Sequence, residues 1–251
     1  MDLTGKVAVI TGGGTGIGRA TALALAAEGA AGIVVTYSKS ADDADKVVRE
    51  VPCRALAVRS DVSDDADVRS LAATVMEAFG RVDVLVNNAA TTYRVPHEDL
   101  EGLTDDAFRS VLDVNVVGPY RMARAFAPAL RASGGAVVNI ASISGYRAGG
   151  SSIAYGVSKA ALLQLTRNLA VALAPTVRVN AVAPGTVATR WQTGLHGVEE
   201  FERRAAAERD SVPLRLTAEP RHVAQAVLGL LAMDMVTGET VILDGGKHVM
   251  Y

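Results

Sequence analysis

Lys6-Val-Ala-Val-Ile10-Thr11-Gly12-Gly13-Gly14-Thr15-Gly16-Ile17-Gly18 joins a short β-branched run to a cluster of glycines. The residues that follow, Arg19 to Gly29, repeat with the period of a helix. The order predicts strand, turn, helix. Glycines permit a tight turn and let the backbone approach a pyrophosphate, which the exposed N–H groups of the next helix attract. Gly12, Gly14, Thr15, Gly16, Ile17 and Gly18 are therefore candidates to hold a dinucleotide. A glycine-rich loop alone is often just a flexible turn; its place between a strand and a helix at the chain start favours the phosphate reading.

Working outward, Gly32-Ile-Val-Val-Thr36 reads as a second strand ending at Tyr37-Ser38-Lys39-Ser40. In dinucleotide folds a carboxylate near this tip takes the adenosine 2′-OH and repels a 2′-phosphate. Here the tip offers hydroxyls and a cation instead, so Ser38, Lys39 and Ser40 favour NADP(H) over NAD(H), with Tyr37, Ser38 and Lys39 as cofactor-binding candidates. The bland alternative is a polar loop that touches nothing. A helix over 41–51 leads to a third strand, Ala55 to Arg59, followed by Ser60-Asp61-Val62-Ser63. Asp61, with Val62 beside it, suits the adenine amino group, and Ser63 suits a helix N-cap; both readings can hold together.

Val82 to Val86 reads as a fourth strand, with Asn87, Asn88 and Ala89 at its carboxyl end, where open α/β sheets bind ligands. One helix is expected over 105–130, kinked or segmented at Pro119 and Pro128, with Asn115 as an amide in an apolar stretch. Asn115 is either a structural bridge or the holder of a water near Lys159. Ala136 to Ile140, Val177 to Val182 and Thr237 to Gly246 supply three more strands, the second followed by Pro184 and Gly185. Alternating strands and helices predict an α/β fold: one Rossmann-type domain over 1–251, a doubly wound parallel sheet of about seven strands with helices on both faces.

The chemistry is concentrated in Asn139-Ile-Ala-Ser142 and Tyr155-Gly-Val-Ser-Lys159. Tyr155 and Lys159 are four apart on a predicted helix and share a face. A cation beside a phenol favours the phenolate, so the pair is expected to exchange a proton near neutral pH, with Tyr155 as general acid and base. Ser142, at a strand end, can aim its hydroxyl at the same substrate oxygen. A Tyr-x-x-x-Lys pair by itself occurs on many helices without function. Its company in this chain is what points to carbonyl–alcohol chemistry.

Composition excludes other classes. Of 251 residues, 25 are Lys or Arg and 27 Asp or Glu, a net charge of -2 with no basic block to follow a phosphate backbone. Nucleic acid is not expected as a partner. The single Cys53 forms no internal disulfide, and charged or polar residues interrupt every apolar run before it could span a membrane. With no leader-like segment at the N-terminus, a cytoplasmic location is expected.

Thr11-Gly-x-x-x-Gly16-Ile-Gly18, Asn87-Asn88-Ala89, Asn115, Ser142, Tyr155-x-x-x-Lys159 and Pro184-Gly185 stand in the order and approximate spacing of the short-chain dehydrogenases/reductases. Over essentially its whole length the chain resembles that family, within it the carbonyl reductases similar to beta-ketoacyl carrier-protein reductases. The resemblance implies that Tyr155 exchanges a proton with the substrate oxygen and Ser142 steadies that oxygen. It implies that Lys159 holds the nicotinamide ribose and lowers the tyrosine pKa, that Asn115 orders a relay water, and that the B-face hydride is transferred. Pro184, Gly185, Val187 and Thr189 would line the nicotinamide side, no metal would be needed, and the assembly would be a homo-oligomer, a tetramer.

Some residues depart from the family pattern. Ala90 replaces the usual glycine, and Thr15 stands where NADP-dependent members often carry arginine. Ser144 is a second hydroxyl near Ser142 at a less fitting offset. Residues 190–215, with Trp191, His196 and Phe201, correspond to a substrate lid. Trp191 there reads as a substrate surface or as packing, and His196 as a solvated loop residue. Arg121, Arg124 and Arg131 could attract a carrier-bound substrate or could form a solvated or subunit face. The substrate is a small carbonyl compound or alcohol; an NAD-dependent alcohol dehydrogenase and a dinucleotide sensor without turnover are the competing readings.

Overall fold

The computed structural model describes residues 1–250. Its sheet has seven parallel strands: β1 (Val7–Ile10), β2 (Gly32–Tyr37), β3 (Arg54–Arg59), β4 (Val84–Asn87), β5 (Ala136–Ile140), β6 (Arg178–Pro184) and β7 (Thr240–Leu243). The spatial order is β3-β2-β1-β4-β5-β6-β7. The chain runs outward from β1 to β3 and then crosses to β4 on the other side of β1. Loops leaving the carboxyl ends of β1 and β4 therefore diverge, and a crevice opens between them.

Alternation along each strand builds two cores. Ile10, Ile33, Val35, Val84, Val86 and Val138 face one layer; Val9, Val34, Leu85, Val137 and Val179 face the other. Helices α1 (Gly16–Ala27), α2 (Ala41–Glu50) and α9 (Pro220–Ala232) cover the first face. Helices α3 (Asp65–Phe79), α5 (Gly118–Ser133) and α6 (Ile153–Leu173) cover the second. Between α3 and α5 lies α4 (Asp105–Leu112), and α7 (Arg190–His196) and α8 (Val198–Ser211) form an excursion after β6. No helix among the described residues is long and apolar enough to cross a membrane.

Two local expectations are corrected. The helix expected over 105–130 is two helices joined by a π-helical turn, Asp113–Val117, with Pro119 in the first turn of α5. α5 continues directly from that turn, with the Gly118 N–H donating to the Asp113 carbonyl, and Pro128 does not end it. The N-cap of α3 is Asp64 rather than Ser63: the Asp64 carboxylate accepts from Ala66 N–H at 2.8 Å. Ser63 instead donates through N–H and Oγ to Asp61, at 2.9 and 2.6 Å.

Candidate active site

A cleft of about 590 Å³ lies over the carboxyl ends of the strands. Gly12, Thr15, Gly16 and Ile17 form one wall; Tyr37, Ser38, Lys39, Asp61 and Val62 close one end. Asn88 and Ala89 border the middle, and Ser142, Tyr155, Lys159, Pro184, Gly185, Val187 and Thr189 form the other end. Gly14 and Gly18 do not line it. A side chain on Gly18 would strike the Gly12 carbonyl and the Asn88 amide, and one on Gly14 would come within 2.9 Å of the Ala44 N–H. These two glycines let α1 and α2 pack against the loop, whereas Gly16, at φ +51°, gives the turn its left-handed step.

The loop is braced from behind. Asn88 Nδ2 donates to the carbonyls of Thr11 and Gly12 at 2.9 and 3.0 Å, while Thr11 Oγ1 accepts from the N–H groups of Asn88 and Ala89. Asn87 points away from the cleft and donates to Asn139 Oδ1 at 2.8 Å; Asn139 in turn donates to Thr166. Of the asparagine pair, then, only Asn88 borders the cleft. Ser60, which the sequence reading passed over, also borders it. Its buried Oγ has no hydrogen-bond partner, an orphan that a polar ligand edge would satisfy. Together with the backbone-walled glycine turn, this orphan fits a dinucleotide.

At the far end, the N-cap Ser152 accepts from Tyr155 N–H at 3.3 Å and so starts α6 where Tyr155 and Lys159 face the cleft. Lys159 is 3% exposed; its ammonium donates to the Ile140 carbonyl at 2.8 Å and lies 5.6 Å from the centre of the Tyr155 ring. Burial lowers its pKa to about 8, so it still carries its proton at neutral pH. Burial also pushes the Tyr155 phenol above its ordinary value, opposed by the nearby Ser142 hydroxyl. The direction is opposite to the lowered phenol expected from the spacing, because desolvation is the larger influence on the ring hydroxyl and the Ser142 hydrogen bond only opposes it.

Both donor positions of the Asn115 amide are used, and its oxygen accepts one hydrogen bond. Its Oδ1 accepts from Thr91 N–H at 2.8 Å, and its Nδ2 donates to the Thr91 carbonyl and to Ser158 Oγ, both at 3.0 Å. Ser158 passes the link to the Tyr155 carbonyl at 2.7 Å. The π-turn thus ties the strand β4 exit to the first turns of α6.

A smaller cavity of about 250 Å³ adjoins the cleft, and Ser142, Tyr155, Gly185, Trp191 and Gln192 line both. The Trp191 ring lies 6.4 Å from that of Tyr155, so it faces the site rather than only packing the lid. Ser144 and His196 line the smaller cavity. Lid and glycine loop meet: Thr189 packs over Gly16, and Arg190 reaches across to Asp43 at 2.6 Å. The three arginines of α5 are engaged within the chain, Arg121 with Asp113, Arg124 with Asp65 and Arg131 with the Ala172 carbonyl. Two of the three are paired with carboxylates, and Arg131 is bonded to a carbonyl alone. No metal-binding cluster occurs among the described residues.

A family model described as enoyl-(acyl carrier protein) reductase matches residues 12–248. The chain is 44% identical, over 97% of its length and 96% of the relative's, to a protein of Streptomyces violaceoruber named for ketoacyl reduction in the granaticin polyketide synthase. It is 37% identical, over 96% of both chains, to cis-4-hydroxycyclohexanecarboxylate dehydrogenase of Sinomonas cyclohexanicum. A solved short-chain glucose/ribitol dehydrogenase from Brucella melitensis superimposes with a TM-score of 0.89 at 29% identity, covering 98% of each chain. With that match and those relatives added to the architecture, the chain belongs to the classical short-chain dehydrogenases/reductases, NAD(P)-binding oxidoreductases that act on CH–OH and C=O groups.

Proposed function

We propose that this protein interconverts a ketone and a secondary alcohol with a preference for NADP(H), Tyr155 serving as general acid and base. The observation that carries the reading is that Ser142 and Tyr155 stand where the large cleft and the small cavity meet, with Lys159 buried behind the phenol. A nicotinamide bound in the large cleft supplies or accepts the hydride. As charge builds on the substrate oxygen, the Tyr155 hydroxyl gives up its proton and Ser142 donates a hydrogen bond to the same oxygen. The Lys159 ammonium, held by Ile140, offsets the phenolate left behind. Asn115 acts by holding α6 in register.

Support for the NADP(H) preference is local. Lys39 and Ser38 line the adenosine end, and the only carboxylate lining the cleft among the described residues, Asp61, is engaged by Ser63. A screen of ketones and alcohols with both cofactors tests the reading; equal or better catalytic efficiency with NAD(H) overturns the preference, and no turnover of any substrate overturns the reaction. The chain works as a homo-oligomer in this reading, supported by apolar side chains left on α5 and α6: Val157 and Val171, four turns apart, and Tyr120, with Val171 80% exposed. A monomer by light scattering at micromolar concentration overturns that part.

A further inference from the structure

The small cavity beside Ser142 and Tyr155 is walled by the loop after β5, the lid helices α7 and α8, and the turn after β7. Its charged lining is one-sided. Among the described residues Arg147, Arg204 and Lys247 line it with His196, and no carboxylate does. In a chain with slightly more acidic than basic residues, such an excess is a local feature.

The counter-charges stand behind the wall and do not cancel it. Glu208 accepts from Lys247 at 2.8 Å, which neutralises that pair. Glu200 accepts from Arg204 at 2.9 Å but also serves Arg203, so one carboxylate answers two guanidiniums. Arg147 has neither an ion pair nor a side-chain hydrogen bond among the described residues. Arg204 also lies 3.3 Å from His196 Nε2, and Arg94 donates to the Leu195 carbonyl close by. The His196 ring is thus flanked by cations, with the Glu200 carboxylate opposing them; burial first, then Arg204 and Arg94, hold its pKa below the usual value. Arg147, Arg204 and Lys247 against Glu200 and Glu208 leave one positive charge, to which the adjacent Arg203 and Arg94 add, and this suits a carboxylate taken up in charge-assisted hydrogen bonds.

We infer that this cavity binds a carboxylate carried by the substrate at a distance from the reacting carbon, so that the enzyme acts on keto acids and hydroxy acids. The inference rests on the proposed reaction at Tyr155, since it is the shared wall of Ser142 and Tyr155 that puts the substrate's oxygen and its carboxylate in one molecule's reach.

The test compares a graded series of keto acids with their own methyl esters in the full-length protein. The acid of the best pair is expected to show a KM at least about tenfold lower than its ester, the size of effect that one charge-assisted contact supplies. In the Arg147→Gln, Arg204→Gln double variant, both exposed positions, the acid-to-ester ratio of kcat/KM is expected to fall by about tenfold, mainly through KM. An unchanged ratio overturns the inference. A readout without turnover separates the two readings: Trp191, the sole tryptophan, lines the cavity, so its fluorescence reports binding. Selective binding of the acid with no turnover of any ketone or alcohol keeps the carboxylate site and removes the reaction. Turnover in which the ester equals or betters the acid keeps the reaction and removes the carboxylate site, as does stronger binding of a keto phosphate than of the matching keto acid.

Discussion

Ser142, Asn115 and Lys159 are each less than a tenth exposed, and each is tied to another segment or to a following N–H by hydrogen bonds. Directly above them, α7 has no buried residue and α8 only Ala205. The floor of the site is held by backbone and amide hydrogen bonds among β4, β5, the π-turn and α6. The roof is held largely by exposed ion pairs such as Arg190 to Asp43 and Arg204 to Glu200. Proton transfer needs reacting atoms fixed to a fraction of an ångström, whereas recognition of a substrate tail and admission of a cofactor need a surface that can shift. The division predicts that changes in the floor act on the chemical step and changes in the roof act on affinity.

The largest expected effect is in the floor. Tyr155→Phe keeps the ring, its packing beneath Trp191 and its place over Lys159, and removes only the proton donor. Turnover is expected to fall by about 10²–10⁴, with cofactor affinity changed by no more than about twofold. Steady-state rates and a Trp191 fluorescence titration measure the two quantities. A rate near that of the wild type sinks the assigned role of the phenol. The floor also sets a pH asymmetry. Because burial raises the Tyr155 pKa, the phenol keeps its proton at neutral pH and reduction is ready there, while alcohol oxidation should accelerate as pH rises toward the phenol's titration.

Next comes the adenosine end, intermediate between floor and roof. Ser38→Asp places a carboxylate at the tip of β2, where Ser38 and Lys39 line the cleft. It should repel a 2′-phosphate and accept from a ribose hydroxyl, lowering the NADP(H)-to-NAD(H) ratio of kcat/KM by at least about tenfold, or ~1.4 kcal/mol. A ratio that does not move means that the tip does not reach the ribose.

The floor was also the more legible half. The glycine turn, the strand tips and the Tyr155–Lys159 spacing are short-range patterns, and a pattern four residues long survives folding unchanged. What escaped depends on distant partners. The π-turn at Asp113–Val117 accompanies an Asn115 amide engaged by Thr91 and Ser158, neither of which a helix period can reveal. Gly14 and Gly18 looked like ligand contacts, yet their missing side chains make room for α2 and for the Asn88 amide. The raised phenol of Tyr155 follows from burial, which four residues of spacing do not encode. Arg147, Arg204 and Lys247 come from three separate segments, so their cavity exists only in the fold.

The smallest effect belongs to the roof. Arg190, at the start of α7, bridges the cleft to Asp43 on α2, and Arg190 is 68% exposed. An exposed pair of this kind contributes little and is screened by salt, so Asp43→Asn should change the KM for cofactor and the rate of cofactor release by only about twofold to fivefold, leaving the chemical step alone. The Arg190 guanidinium, hydrogen-bonded to the carboxylate, holds the Asp43 pKa below its ordinary value. A depressed carboxylate pKa means that the link is complete above the ordinary aspartate range and is lost only as pH falls through the lower folded value, so between about pH 5 and 8 it contributes no pH dependence. Stopped-flow release of cofactor from the wild type and Asp43→Asn, in low salt and near 1 M salt, decides the matter. The difference should vanish at high salt, where the Debye length is about 3 Å. A large effect that persists in salt, or one that appears in the single-turnover chemical step, would mean that the roof helps to hold the reacting groups and that the division between floor and roof is wrong.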